Sequence, residues 1–375
     1  MAGIYLHIPF CKQACHYCNF HFSTSLKKKP ELITAIAKEL ILRKHEIETP
    51  IETIYFGGGT PSLLQITEIE FLLKTIYNNF NIISNPEITI EANPDDLMDF
   101  SVFEKYKKIG INRLSIGVQS FFDEDLLALN RAHKAKEAKT VLKKASKYFD
   151  NITIDLIYGI PGLSKERWKE NLEITFNFGI NHISSYALTI EPKTALYQFI
   201  KNNKYPNIDD NSALEHFKIL QQETTKNGFV QYEVSNFGKP NFFSKHNTSY
   251  WLGKPYLGVG PSAHSYYKQE RNWNIANNSK YIKAITNGIL PIEKEQLSKK
   301  DLFNETIMIG LRTIWGVSLT DIKDNFGEET VKTLQHKAKK HINNQNLTQE
   351  NNTLKATKKG LFLIDGIAAD LFWLD

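Results

Sequence analysis

The chain has 375 residues, 41% of them hydrophobic and 23% charged, the profile of a globular protein with a full core and room for one large and one smaller domain. Its formal charge of +5 comes from intermixed acids and bases, so no nucleic-acid partner is expected. No apolar run approaches the ~20 residues that span a bilayer, and the opening MAGIYLHIPFCK lacks the basic start, apolar stretch and cleavage site of a signal peptide, which predicts a cytoplasmic location.

In chain order, strands are predicted at Gly3–Pro9, Thr53–Phe56, Glu87–Ala92, Arg113–Val118, Asn151–Ile157 and His182–Leu188. Helical period lies between them. Leu32, Ile36 and Leu40 share a face, as do Trp168, Leu172 and Phe176, and approximately Phe71, Ile76 and Phe80. Alternating strands and helices predict parallel βαβ units with right-handed crossovers. Six units are visible rather than eight, so the fold class expected is α/β: an open partial (β/α)6 TIM-like barrel over residues 1–235, with a smaller C-terminal α/β domain. Strands ending in Gly57-Gly58-Gly59, Glu91 with Asn93, Gln119 and Asp155 would deliver polar groups to one face, where parallel sheets bind ligands.

After residue 235 the rhythm changes. Asn236–Tyr267 is rich in Gly, Pro, Asn and aromatics and reads as ordered loop within a connection over 236–290. The C-terminal domain over 291–375 offers a helix at Asn304–Ile314, a basic helix near Glu329–His341, an Asn/Gln-rich break at Asn343–Asn352 and a short element ending Leu371–Asp375. The lysines Lys332, Lys337, Lys339 and Lys340 read most simply as a solvated face, with an acidic membrane surface or partner as the alternative.

All three cysteines fall in Cys11-Lys-Gln-Ala-Cys15-His-Tyr-Cys18. An odd set this close makes no disulfide framework. Thiolates are the preferred ligands of iron–sulfur clusters, and a four-iron cluster held by three thiolates keeps one iron open for a small molecule. Spacing alone leaves room for a zinc site completed by His7, His16 or His21. Glycines at Gly57–Gly59 let backbone approach a ligand, Arg131 has the planar fork that suits a carboxylate, and Asp155 is a charge in an apolar strand, costly unless paired or at a site.

Preceded by Tyr5-Leu-His-Ile-Pro-Phe10 and followed by Gly57-Gly-Gly-Thr-Pro61, the cysteine spacing resembles the radical SAM superfamily. There, three cysteines hold a [4Fe–4S] cluster and S-adenosylmethionine (SAM) chelates its open iron. With the other strand-end residues, the chain resembles one subgroup that holds the oxygen-independent coproporphyrinogen III oxidases and the HemW-type heme chaperones. The resemblance implies a HemN-like helical, winged-helix-like C-terminal domain. It also implies that Cys11, Cys15 and Cys18 bind the cluster, and that Tyr5, Tyr17, Gly58, Gly59, Thr60, Glu91, Gln119, Arg131, Asp155 and Ala187 line the SAM pocket. The oxidases carry a further cysteine where this chain has Phe20, and a long segment before the cysteines where it has ten residues. Both departures point to the chaperones.

Chemistry alone reads His246-Asn-Thr-Ser-Tyr-Trp251 as a packed loop with a hydrogen-bonded histidine sooner than as an exposed heme ligand. HNxxYW resembles the chaperone signature associated with heme, which makes His246 the implied heme residue; His264, in Gly260-Pro-Ser-Ala-His-Ser265, is a second candidate on less support. The implied partners are heme and recipient respiratory hemoproteins.

Overall fold

The computed structural model describes residues 1–374. Six parallel strands, β1 (Ala2–Ile8), β2 (Ile51–Gly58), β3 (Ile82–Ala92), β4 (Arg113–Gln119), β5 (Ile152–Tyr158) and β6 (His182–Ala187), lie side by side in chain order. Crossovers carry helices α1 (Lys29–Leu42), α2 (Ile66–Asn79), α3 (Ser101–Lys108), α4 (Asp123–Ala128), α5 (Ala135–Ala145) and α6 (Lys165–Asn177). After β6 come α7 (Ala195–Lys201) and α8 (Asp210–Lys226).

The helices form where the apolar period and start signals agree. α1 carries Pro30 in its first turn and buries Leu32, Ile36 and Leu40. α6 is capped by Ser164, whose side chain accepts from the Arg167 N–H, and buries Trp168 and Leu172. In α2 the buried stripe is Ile69, Leu72, Leu73 and Ile76, while Phe71, placed in that stripe by the sequence reading, is exposed. Strand alternation sorts β1 in the same way. Ile4, Leu6 and Ile8 join the core beneath the helices, each burial contributing roughly 1.5–3 kcal/mol. Gly3, Tyr5 and His7 face the concave side, where they meet residues of β2.

The sheet is open, as expected, but has twelve strands rather than six. β7 (Val230–Glu233) and β8 (Asn236–Gly238) extend it antiparallel beyond β6. On the other edge β9 (Tyr256–Val259) pairs parallel with β1, followed by β10 (His264–Tyr267), β11 (Glu270–Asn274) and β12 (Ile292–Gln296). The segment Asn236–Tyr267, read from sequence as loop, is therefore mostly strand and helix. Its strands have only three or four residues, too short to show alternation, and between them α9 (Lys245–Trp251) holds the HNxxYW residues. α10 (Asn278–Thr286) packs on α1, and Tyr281 and Ile285 belong to the main core.

A second hydrophobic cluster, including Phe303, Leu334 and Ile367, organises the C-terminal unit. It contains α11 (Lys299–Leu311), α12 (Leu319–Phe326), α13 (Glu328–Asn343), α14 (Ile364–Leu371) and a three-stranded sheet ordered β13 (Val317–Ser318), β15 (Thr353–Ala356), β14 (Leu347–Glu350). The expected break at Asn343–Asn352 is the end of α13 and the first arm of this hairpin. Val234 donates to the Arg312 carbonyl and Ile314 to the Tyr232 carbonyl, docking the unit on the β7 edge.

Candidate functional site: three thiols at the carboxyl end of the sheet

The cysteines follow β1 on a loop that two neighbours clasp. Gln13 donates to Asn130, Asn130 donates to the Ala14 carbonyl, and the His16 N–H donates to the Leu129 carbonyl. All three thiols are free and half-buried. Burial pushes the Cys11 thiol up to about 11 and raises Cys18 as well, so their thiolates need a cationic partner here.

The thiols line a cavity of about 150 Å³ with Gln13, Tyr17, Phe20, Gly58, Gly59, Thr60, Glu91, Ala92, Asn93, Ser115, Gly117, Gln119, Arg131 and Asp155. Eight of the expected pocket residues meet there, contributed by the cysteine loop, the ends of β2 to β5 and the segment after α4. Asn93, expected at a strand end, joins them, and Gln13, Phe20, Ala92, Ser115 and Gly117 are additions. Ser115 and Gly117 alternate with Gln119 along β4, so strand period alone could have found them.

Each glycine of the run is fixed by packing. A Cβ on Gly59 would lie 2.7 Å from the Phe10 carbonyl oxygen and 2.8 Å from that of Ile8, and one on Gly58, whose φ is +107°, would lie 2.6 Å from the His7 ring. The run thus makes room for the strand that launches the cysteines, and Gly58 and Gly59 also face the cavity. Gln119 ends β4 at φ +65°, a left-handed conformation that costs a non-glycine residue ~1–2 kcal/mol and concentrates at functional sites.

Arg131 ties the mouth together. It donates to Cys15 Sγ at 3.4 Å, to Asn93 Oδ1 at 2.6 Å and to the Gly117 carbonyl at 2.8 Å. Asn93 in turn donates to Thr60 Oγ1 at 3.2 Å. The Arg131 Nε is buried without a partner, a donor left for a ligand. Two carboxyls lie deeper. Burial raises Glu91 to about 7 although Tyr55 and the Gly58 N–H donate to it. Asp155 rises to about 6 for the same first reason, opposed by Arg113 and Arg131.

Soft thiolates are the preferred donors of iron–sulfur clusters, and a cubane takes each of the three on a different iron, leaving the fourth iron open. The donor set, the Arg131 cation and the glycine floor therefore fit a cluster with SAM beside it. Cys11, Cys15 and Cys18 would hold the irons, and the strand-end residues would hold the methionyl group.

Tyr5, Ala187 and His246 lie outside the cavity lining. Tyr5 sits below it, 3.2 Å from His7 Nδ1 and stacked near Tyr55 at 6.0 Å. Ala187 ends β6 opposite Tyr158. His246 is not an exposed imidazole: it is 2% exposed, because the α9 N-terminus is drawn under the sheet by Glu87, which accepts from the Lys245 and His246 N–H groups. Its Nδ1 lies 2.7 Å from Thr53 Oγ1 and its Nε2 2.7 Å from the Tyr250 hydroxyl, and burial lowers it to about 3. It is a neutral, fully engaged histidine. His264 is exposed and stacks on Trp273 at 5.8 Å.

A second cavity, of about 610 Å³, lies between α9, the β10–β11 edge and the C-terminal unit. Tyr250, Trp251, Tyr256, Tyr266 and Trp315 form its aromatic walls, with Lys254 and Arg271 among its cations. It shares no lining residue with the thiol cavity. Neither sequence period nor spacing could bring Trp251 and Trp315 together, because their meeting depends on domain docking.

Comparison with known proteins follows this division. Residues 5–174 match the Radical SAM superfamily and residues 297–363 the HemN C-terminal domain. The chain is 32% identical to the heme chaperone HemW of Bacillus subtilis (strain 168), over 87% of either chain. It is 35% identical to that of Lactococcus lactis subsp. lactis (strain IL1403), over 96% of this chain and 94% of the relative. The structure of coproporphyrinogen III oxidase (HemN) from Escherichia coli superposes with a TM-score of 0.85 at 21% identity, covering 99% of this chain and 90% of that one, which shows a shared fold.

Proposed function

The chain belongs to the radical SAM superfamily and, within it, to the family of the HemW heme chaperones, and from that premise we propose that it binds heme and hands it to recipient respiratory hemoproteins. The superfamily implies a [4Fe–4S] cluster and SAM. Cys11, Cys15 and Cys18 are assigned to the cluster. Tyr17, Gly58, Gly59, Thr60, Glu91, Gln119, Arg131 and Asp155 are assigned to SAM, with Tyr5 and Ala187 supporting from outside the cavity. When bound, cluster and SAM supply an electron source and a cleavable sulfonium. The chain's own part is to orient them and exclude water.

One observation carries the chaperone reading: the roomy aromatic cavity is separate from the thiol cavity. An oxidase acting through SAM needs its substrate beside the thiols, whereas a carrier can hold heme elsewhere. A volume of about 610 Å³ is within the ~300–1,000 Å³ of cofactor sites. Trp251 and Trp315 suit a tetrapyrrole face, and Arg271 and Lys254 suit its carboxylates. His246 touches this site only through Tyr250, so it serves heme as a positioning residue.

The test is heme titration of the anaerobically prepared protein, parent against Trp251→Ala and Trp315→Ala. Binding by the parent that weakens in both variants, with iron content unchanged, supports the assignment. Absence of binding by the parent overturns the function, and equal binding by all three moves heme to another site.

A further inference from the structure

The basic surface that the structure leaves unneutralised is not the C-terminal helix. Lys332 pairs with Glu329 at 2.7 Å, Lys340 with Asp370 at 3.4 Å, and Lys337 donates to the Phe372 carbonyl. By contrast α3 presents Lys107 and Lys108, α5 presents Lys136, Lys139 and Lys143, and Lys147 follows α5 next to Tyr148, whose ring lies 5.7 Å from that of Phe103 on α3. All six are exposed, and among the described residues none forms an ion pair. The nearby Glu137 is turned back to cap α5, accepting from the Lys134 N–H at 2.7 Å. Like charges one turn apart, such as Lys139 with Lys143 or Lys136 with Lys139, weaken an isolated helix.

The lysines also rim an apolar groove. Lys136, Lys139, Thr140, Lys143 and Lys144 surround about 620 Å³ with Phe178 at the side. Lys144 lies over the Phe100 ring at 5.3 Å, and Tyr148 is 37% exposed. Flexible ammonium groups above half-exposed aromatics match the headgroup layer of a bilayer, where stems and rings rest among acyl chains and charges meet phosphate. The composition bears on the choice of partner. Lysine is depleted from protein interfaces, and recognition of an ordered phosphate backbone favours the forked arginine, which this face lacks. No helix among the described residues is long and apolar enough to cross a membrane, so contact of this kind would be peripheral.

We propose that the α3–α5 face docks the protein on anionic lipid surfaces, with Lys136, Lys139 and Lys143 at the centre of the contact. The surface acts independently of where heme binds. The experiment is cosedimentation of the cluster-loaded full chain with phosphatidylcholine vesicles, with and without phosphatidylglycerol. Each lysine near an anionic surface is worth about fivefold in partition. The triple variant Lys136→Glu/Lys139→Glu/Lys143→Glu should therefore lose about a hundredfold or more, while Lys332→Glu/Lys339→Glu/Lys340→Glu, of equal charge change, stays near the parent. Parent binding should need phosphatidylglycerol and fall with salt. Binding that ignores phosphatidylglycerol, equal loss in both triple variants, or release from vesicles by a DNA duplex of matched charge would overturn the assignment. Circular dichroism and iron content of each variant separate these outcomes from misfolding.

Discussion

His246 holds the Tyr250 hydroxyl at 2.7 Å, and this pair joins the two cavities of the molecule. Tyr250 walls the aromatic cavity. His246 stacks on Tyr55 at 4.8 Å, and Tyr55 donates to Glu91 at 2.8 Å, which lines the thiol cavity. Four side chains in contact thus span from one site to the other.

If His246 acts on heme through Tyr250, His246→Ala should weaken heme binding while the spectrum of the bound heme keeps its form. The substitution also leaves the Thr53 and Tyr250 hydroxyls buried without a partner, each at a cost of ~1–3 kcal/mol, so the melting midpoint should fall. Loss of a histidine-ligand signature from the heme spectrum on this substitution would instead make His246 the ligand.

Replacing any of Cys11, Cys15 or Cys18 by Ser should abolish cluster loading, since the chain contains three cysteines and no spare. Iron and acid-labile sulfide are the readouts. Stoichiometric zinc on the parent protein in place of iron would sink the cluster assignment.

Gly59→Ala should fail to build the mouth of the site, because its new methyl meets backbone atoms of Ile8 and Phe10 within 2.8 Å and backbone cannot rotate away. Iron loading and thermal stability should drop together. Gly366→Ala, in helix α14 with nothing within 4 Å of its Cβ, should be neutral or stabilising by up to ~1 kcal/mol.

The raised carboxyl of Glu91 gives a pH signature. With a folded value of about 7 against the usual 4.5, the native state holds a proton that the unfolded chain has lost. Stability is therefore intact at low pH and falls as pH rises through that window, by at most ~3.5 kcal/mol at about 1.4 kcal/mol per unit. Glu91→Gln should flatten this part of the profile, narrowing the difference in melting midpoint between pH 5 and pH 8, whatever offset it introduces at both. An unchanged pH profile in the variant would show that Glu91 is not the titrating group.

Arg131→Ala should cost more than a surface arginine, since it removes the donors to Cys15, Asn93 and Gly117. Isothermal titration should show SAM affinity reduced by at least tenfold, with Arg131→Lys restoring charge but not the fork. Parent-like affinity in both variants would remove Arg131 from the pocket.

The sequence by itself determined the local and the periodic. Three thiols within eight positions, a glycine run after a strand, and polar residues closing successive β-strands defined the parallel core and most of the thiol cavity, because strand period and crossover handedness leave few ways to arrange such units. Only tertiary structure decided what depends on distant segments. Glu87 on β3 pulls the HNxxYW helix under the sheet, and His246 is buried and neutral between Thr53 and Tyr250. Short strands after residue 235 find their place by pairing with β1 and β6, where four residues carry too little pattern to announce it. Trp251 and Trp315 make one cavity because the C-terminal unit docks on the β7 edge. Within that unit, Asp370 and the Phe372 carbonyl reach Lys340 and Lys337 of α13 and Glu329 pairs with Lys332, whereas Lys136, Lys139 and Lys143 of α5 form no ion pair among the described residues. Which charges are neutralised is settled by neighbours in space, which composition cannot report.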